Sequence, residues 1–102
     1  MLTFSKIDEE LSVYQNNKVV IYGAGIDGKR VKSELEQLGI KVDYFCDNDP
    51  EKRGKDELGI KVINHSELLG LASENMIVQV ATRKFEAEII QLLKKDNFSY
   101  IS

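Results

Sequence analysis

The sequence contains few of the residues that form covalent cross-links or thiolate metal sites. Cys46 is its single cysteine, which excludes an internal disulfide bond and any metal site built from several cysteines. Proline occurs once, and no segment is of low complexity, so we expect neither a linker nor a disordered tail. The low cysteine content is typical of a reducing compartment, and we predict a cytoplasmic location and no metal.

The N-terminal residues lack the long apolar run of a signal peptide or a membrane span. Residues 1–17 alternate apolar and charged positions, which is typical of neither. The formal net charge of −3 combines both signs along the chain, so electrostatics predicts no nucleic-acid or anionic-membrane partner. With 102 residues, 42% of them hydrophobic and 30% charged, the chain has the size and composition of one globular domain over residues 1–102.

Apolar residues recur at strand spacing and at helix spacing in alternating segments. The pattern predicts an N-terminal helix over about residues 4–15, followed by strands over residues 18–22, 42–46, 60–63, 76–81 and 98–101. Further helices are predicted after the first, third and fourth strands, and Asn64 with Glu67 has the pattern of a capping box. Residues 48–59 are rich in Asp, Gly and Lys and are predicted to form a surface loop.

Strands that alternate with helices pair in parallel through right-handed crossover connections. The sequence therefore predicts an α/β, Rossmann-like fold. It consists of an open, mostly parallel five-stranded sheet in the order 3-2-1-4-5, with helices on both faces and the extra N-terminal helix. In such sheets ligands bind beyond the carboxyl ends of the strands, where the chain direction switches beside the central strand. The central strand here is the first one, and it leads directly into a glycine-rich turn.

The turn at residues 23–28 has the sequence GAGIDG, which matches the Gly-x-Gly-x-x-Gly pattern of dinucleotide-binding domains. Gly23 permits the tight turn, Gly25 lets the backbone approach a pyrophosphate, and Gly28 lets the helix pack closely on the strand. Free backbone amides from Ile26 onward and the positive end of the helix dipole attract phosphate oxygens. The alternative is a turn that serves only strand–helix packing and binds no ligand.

Asp47 stands at the end of the second predicted strand, where an acidic side chain hydrogen-bonds the ribose hydroxyls of NAD. A carboxylate at this position repels a 2′-phosphate, which predicts NAD as the cofactor in preference to NADP. The alternative is that Asp47 only stabilises the turn that follows it at Asn48-Asp49-Pro50.

Two further positions belong to the predicted cofactor site. Asp27 suits the helix dipole but stands close to the predicted phosphate, so its effect depends on whether its side chain faces the turn or solvent. Lys29 and Arg30 can offset that charge, although their position favours a solvated helix face. Thr82 and Arg83 follow the fourth predicted strand and are candidates to reach a second ribose or a substrate anion, unless they form only an exposed loop.

Three polar residues lie outside the predicted cofactor site. We interpret His65 as a surface residue beside a helix cap and Cys46 as a buried structural thiol with no neighbouring base. Gln79 interrupts an apolar strand, so it needs a hydrogen-bond partner if it is buried, and it is also a candidate to face the cleft. No residue is assigned a catalytic role.

The chain resembles the small NAD(P)-binding, Rossmann-like domains of bacterial polysaccharide and nucleotide-sugar enzymes, through the pattern VVIYGAGIDGKRV…LEQLGIKVDYFCDNDPEKRGKDELGIKVI. Such domains accompany nucleotide-sugar dehydratases, sugar acyltransferases, glycosyltransferases and sugar methyltransferases. The resemblance covers about residues 18–101 and is most specific where the glycine turn is combined with the DNDP segment and the Gly-Ile-x-Val that follows. It implies that a nucleotide or nucleotide-sugar is bound by Gly23, Gly25, Gly28 and Asp47.

The resemblance implies a nucleotide-binding module that serves cell-surface glycan synthesis, and we expect its ligand to be NAD rather than NADP. The catalytic parts of such enzymes lie in other domains, so we expect no complete active site here, and we expect the other domains of a parent oxidoreductase, dehydratase or transferase as partners. One alternative is a UDP-sugar-binding module of an acyltransferase or glycosyltransferase. A second alternative is a ligand-free Rossmann scaffold for oligomerisation. A third is an S-adenosylmethionine-dependent methyltransferase, although the fold of those enzymes normally has further strands.

Overall fold

The computed structural model describes residues 13–14, 17–52, 54, 56–71 and 75–102. In these ranges the chain forms, in order, β1 (Lys18–Tyr22), α1 (Ile26–Gln37), β2 (Tyr44–Cys46), β3 (Asp56–Glu57), β4 (Ile60–Ile63), α2 (His65–Gly70), β5 (Met76–Val80), α3 (Glu86–Lys95) and β6 (Tyr100–Ile101). The predicted N-terminal helix over residues 4–15 lies outside the described residues, apart from residues 13 and 14, which are helical.

The strands form one sheet in the order β3-β4-β2-β1-β5-β6. Apart from β3, all neighbours are parallel: β1 lies between β2 and β5, β2 pairs with β4, and β5 pairs with β6. The predicted Rossmann-like sheet of five parallel strands in the order 3-2-1-4-5 is therefore confirmed. Gly23 directly follows β1, so the glycine turn lies at the carboxyl end of the central strand.

β3 replaces part of the loop that the sequence predicts over residues 48–59. It pairs antiparallel with β4, with Glu57 opposite Ile60. The two connecting residues, Leu58 and Gly59, have φ values of 54° and 81°, and two successive positive φ values are typical of a type I′ hairpin turn. Leucine is rarely found in this conformation, which explains why the sequence gives no sign of the hairpin.

Helices cover both faces of the sheet, as predicted. On one face Ile21 of β1 packs in the same cluster as Leu35 of α1. On the other face Val20 of β1 shares a cluster with Leu68 of α2 and Leu93 of α3. Successive residues of a strand point to opposite faces of the sheet. Helices bury both faces of β1, which explains why its sequence is a continuous apolar run after Lys18.

The predicted capping box begins α2. The Asn64 side chain accepts a hydrogen bond from the Glu67 backbone N–H at 2.9 Å, and the Glu67 carboxylate accepts one from the Asn64 N–H at 3.1 Å. At its other end, α1 is followed by Gly39, whose φ of 80° allows the chain to turn away from the helix.

α1 approaches the sheet closely at Gly28. A Cβ atom on Gly28 would lie 1.8 Å from the carbonyl oxygen of Gly23, so no residue with a side chain fits in this position. Gly23 itself has a φ of 117°, and a Cβ there would lie 3.0 Å from the carbonyl oxygen of Ala81. The two glycines together bring the start of α1 against the carboxyl ends of β1 and β5.

We expect the Gly28→Ala variant to be destabilised by roughly 3 kcal/mol, because the new methyl group overlaps backbone that cannot move without separating α1 from β1. Gly70→Ala is the matched control, since Gly70 is also helical and a Cβ there would meet nothing within 4 Å. Chemical denaturation of both variants measures the difference. Equal stability of the two variants would contradict this account of the turn.

Candidate functional site

α1 begins without a side-chain cap at the carboxyl end of β1. Gly25 is its N-cap residue, and among the described residues no side chain hydrogen-bonds this end of the helix. The first amides of a helix have no acceptor within the helix, and they carry the positive end of its dipole. The shorter helix α2, by contrast, is capped by Asn64 and Glu67. The start of α1 therefore retains hydrogen-bond donors and positive potential in front of it.

The space in front of Gly25 is open. Among the described residues, a Cβ on Gly25 would meet only the Nζ atom of Lys52, at 3.6 Å. The φ of Gly25 is −87°, which any amino acid adopts, so backbone conformation does not require glycine here. Neither backbone strain nor packing against the described residues explains this glycine, whereas the absence of its side chain leaves room for a ligand to approach the backbone.

The carboxylate of Asp47, directly after β2, is hydrogen-bonded to two backbone segments. Its Oδ2 accepts from the N–H of Ala24 at 2.9 Å, and its Oδ1 accepts from the N–H of Asp49 at 2.9 Å. Asp47 therefore stabilises both the glycine turn and the turn that follows β2. An ionised carboxylate has about four acceptor positions, so two such bonds leave capacity to accept from a ligand.

Further hydrogen bonds fold residues 47–52 back towards the glycine turn. Asp49 Oδ1 accepts from the N–H of Glu51, and the N–H of Lys52 donates to the carbonyl oxygen of Asp49, both at 3.0 Å. This places the Nζ atom of Lys52 at 4.0 Å from Asp47 Oδ2. Lys52 cannot be recognised from sequence spacing alone, because its position depends on this folded loop.

The glycine turn, the loop after β2 and the start of α3 enclose a cleft of about 620 Å³, a volume within the usual range for small-molecule sites. The predicted site residues in its lining are Gly23, Gly25, Ile26, Asp27, Asp47 and Thr82. Gly28 packs beneath the turn and is not part of the lining. Residues that the sequence did not indicate also line the cleft, namely Tyr22, Asn48, Asp49, Lys52, Ala81, Phe85, Glu88, Ile89 and Leu92.

The two sides of the cleft differ in polarity. The side next to β2 carries Asp47, Asn48 and Lys52, whereas α3 and the residue before it contribute mainly apolar groups. Two apolar residues of the lining are largely uncovered, since Ile26 is 87% exposed and Phe85 is 49% exposed. Thr82 lies in this lining, but the neighbouring Arg83 is exposed and outside it, as expected for a loop residue.

Asp27 brings a negative charge to the cleft, and a cation from its own helix lies close to it. Arg30 Nη2 lies 3.6 Å from Asp27 Oδ1, and both side chains are largely exposed. Exposed ion pairs of this spacing contribute little to stability. Arg30 nevertheless reduces the local negative potential that a phosphate would meet at the first turn of α1.

A chain of hydrogen bonds connects Tyr22 in the cleft lining to α2 and to the end of α3. The Tyr22 hydroxyl lies 3.0 Å from His65 Nδ1, and His65 Nε2 lies 2.8 Å from Asp96 Oδ2. Because a carboxylate only accepts, Nε2 carries a proton in its contact with Asp96. Asn48 completes the network: its Nδ2 donates to Tyr22 Oη at 3.1 Å, and its Oδ1 accepts from the His65 N–H at 3.0 Å.

The prediction that His65 is a surface residue is wrong. Its side chain is only 15% exposed, and both ring nitrogens have partners that come from distant segments of the chain. Burial raises the pKa of the Tyr22 hydroxyl well above its usual value. The phenol therefore stays neutral near neutral pH, and in the cleft it acts as a hydrogen-bonding group rather than as a base.

Cys46 and Gln79 are both engaged within the fold. Cys46 is fully buried, as predicted, and burial raises the pKa of its thiol to about 12, so it does not supply a reactive thiolate. Gln79 has the hydrogen-bond partners it was expected to need: Oε1 accepts from the Tyr14 hydroxyl at 2.5 Å, and Nε2 donates to the carbonyl oxygen of Ile101 at 3.3 Å. It is not in the lining of the cleft, so the cleft-facing alternative is wrong.

The part of the chain that the structure describes contains neither a metal-binding cluster nor a membrane-spanning helix. No group of three or more His, Cys, Asp or Glu side chains there is arranged to hold a metal ion. No helix in those ranges combines the length and the apolar character needed to cross a bilayer.

The parallel sheet, the flanking helices and the cleft beyond the central strand define the chain as a Rossmann-like α/β domain. It belongs to the C2185-like, N-terminal family, whose model matches residues 15–99. Among solved structures it is similar to UDP-D-quinovosamine 4-dehydrogenase from Vibrio fischeri, with 26% sequence identity, a TM-score of 0.69, and coverage of 83% of this chain and 75% of that one. No curated protein sequence matches the chain.

Proposed function

We propose that the chain binds a nucleotide carrying a pyrophosphate, with NAD preferred over NADP, and serves as the nucleotide-binding module of a nucleotide-sugar enzyme. The observation that carries this proposal is the open space in front of Gly25, where glycine is required neither by backbone conformation nor by protein neighbours. A pyrophosphate in that space accepts hydrogen bonds from the uncapped first turn of α1 and gains from the helix dipole.

The position of Asp47 supports the proposal that it binds the ribose of the nucleotide. Its carboxylate lies at the carboxyl end of β2 in the cleft lining, and it is held in place by the N–H groups of Ala24 and Asp49. A ribose attached to a pyrophosphate at Gly25 has its hydroxyls within reach of the remaining acceptor positions. The carboxylate would repel a 2′-phosphate in the same place, which favours NAD.

The similarity to a UDP-D-quinovosamine 4-dehydrogenase supports the link to nucleotide-sugar metabolism and makes a UDP-sugar the second candidate ligand. Both ligands carry a pyrophosphate, so the glycine turn suits either of them. We place the function in the synthesis of bacterial cell-surface polysaccharides, in agreement with the resemblance of the glycine turn and the DNDP segment to domains of such enzymes.

We propose ligand binding rather than complete catalysis for this chain. Tyr22 is kept neutral by burial and Cys46 is inaccessible, so neither provides a base or a nucleophile to the cleft. The reaction itself would then depend on other domains or partner proteins of the glycan-synthesis machinery.

We expect NAD to raise the melting temperature of the chain. A ligand that binds only the folded state at about 100 times its Kd stabilises it by about 2.7 kcal/mol, which for a domain of this size corresponds to roughly 10 °C. Differential scanning fluorimetry with NAD, NADP, UDP-glucose and S-adenosylmethionine compares the candidates. If none of them shifts the transition at millimolar concentration, the domain is a scaffold and the proposed function is wrong.

We expect the Gly25→Val variant to fold normally and to bind NAD at least about tenfold more weakly, since even one lost charge-assisted hydrogen bond has this effect. The valine side chain meets no described protein atom closer than Lys52 Nζ, yet it fills the space proposed for the pyrophosphate. Gly25→Ala should give a smaller loss in the same direction. Calorimetric titration measures binding and thermal denaturation measures stability, and a Gly25→Val variant with wild-type affinity would exclude a phosphate at this turn.

We expect the Asp47→Asn variant to discriminate less between NAD and NADP. Asparagine keeps a carbonyl oxygen to accept from the Ala24 N–H but loses the negative charge, so NAD should lose roughly tenfold in affinity while NADP loses little. A stability loss of about 1 kcal/mol should accompany the change, because the bonds to the two turns weaken. Calorimetric titration of the wild type and the variant with NAD and with NADP gives the ratio of the two affinities for each protein. If that ratio is the same in both, Asp47 stabilises the turns but does not contact the ribose.

A further inference from the structure

The ammonium group of Lys52 lies directly in front of the glycine turn. Its Nζ atom is 3.6 Å from the position of a Cβ on Gly25 and 4.0 Å from Asp47 Oδ2. The side chain is 34% exposed and lines the cleft, so a ligand can reach it without a change in the fold. The loop that carries it is fixed by the hydrogen bonds of Asp47 and Asp49.

This arrangement concentrates positive potential at one point. The first turn of α1 presents free amides and the positive end of the helix dipole, and the Lys52 ammonium lies beside Gly25, the N-cap residue of the same helix. The Asp47 carboxylate neutralises the Lys52 charge only in part. Its Oδ2 atom is 4.0 Å from Nζ, which is long for an ion pair, and it already accepts a hydrogen bond from the Ala24 N–H. An anion bound at Gly25 would meet both the free amides of α1 and the Lys52 ammonium.

We propose that Lys52 binds the pyrophosphate of the ligand together with the first amides of α1 and thereby selects compounds that contain a nucleoside diphosphate group. The proposal rests on the proposed function and adds to it the residue that recognises the phosphates. Because Nζ lies beside Gly25, Lys52 contacts the phosphates that NAD, NADP and UDP-sugars share. It does not serve the 2′-phosphate that only NADP carries.

The test compares Lys52→Met, Lys52→Arg and the control Lys61→Met by calorimetric titration with NAD and with NADP. Lys61 is an exposed lysine on β4 outside the cleft lining, so its replacement removes the same charge from the chain without touching the site. We expect Lys52→Met to lose roughly tenfold in affinity for both cofactors. Lys52→Arg should retain most of the affinity, and Lys61→Met should bind as the wild type does.

The dependence of binding on NaCl concentration gives a second measurement. Affinity should fall less steeply with salt for Lys52→Met than for the wild type, because one phosphate contact that is screened by salt has been removed. Melting temperatures without ligand should agree among the variants, since the Lys52 ammonium lies 4.0 Å from the Asp47 carboxylate and a pair that long contributes little to stability.

The outcomes separate this proposal from the one on which it rests. If the wild type binds NAD and Lys52→Met binds it equally well, Lys52 does not contact the pyrophosphate, but the proposed function stands. A loss confined to NADP would assign Lys52 to the 2′-phosphate and overturn the proposal. If the wild type binds none of NAD, NADP and UDP-glucose, both proposals are wrong.

Discussion

The contact between Gly28 and the carbonyl oxygen of Gly23 is the constraint on which the site depends. It allows the start of α1 to lie against the carboxyl end of β1, and only a residue without a side chain permits that distance. The first amides of α1 then point into the cleft instead of being covered by the preceding loop. Because the positive φ of Gly23 sets the direction in which the chain leaves β1, the two glycines together determine where a ligand can meet the helix.

Asp47 connects this turn to the rest of the cleft. By accepting from the N–H groups of Ala24 and Asp49, it ties the turn after β1 to the loop after β2, so one carboxylate orders both sides of the polar half of the site. The loop that these bonds order carries Lys52, whose ammonium lies beside Gly25. A change at Asp47 therefore acts on the electrostatics and on the geometry of the cleft at once, which is why cofactor discrimination and stability have to be measured together.

The sequence predicted the features that depend on local patterns. The five parallel strands follow from apolar periodicity, and the capping box of α2 follows from two residues, Asn64 and Glu67. Features that depend on distant partners were not predictable. His65 is mostly covered by contacts with segments far along the chain, and Lys52 reaches the turn only through a folded loop. The hairpin before β4 was missed because Leu58 occupies a conformation in which leucine is rare.

The difference in polarity across the cleft restricts how a ligand can lie under the proposed function. With its pyrophosphate at Gly25, one end of the ligand would lie beside the carboxylate of Asp47 and the other beside Phe85 and the apolar residues of α3, which line the same cleft as Ile26. The hydrogen-bonding ribose suits the first side. A ring on the second side would cover Ile26 and Phe85, two apolar side chains that the protein leaves largely exposed, and burial of that surface favours binding in proportion to the area removed from water. The charged side of the cleft then orients the ligand, and the apolar side adds affinity without strongly selecting among rings of similar size.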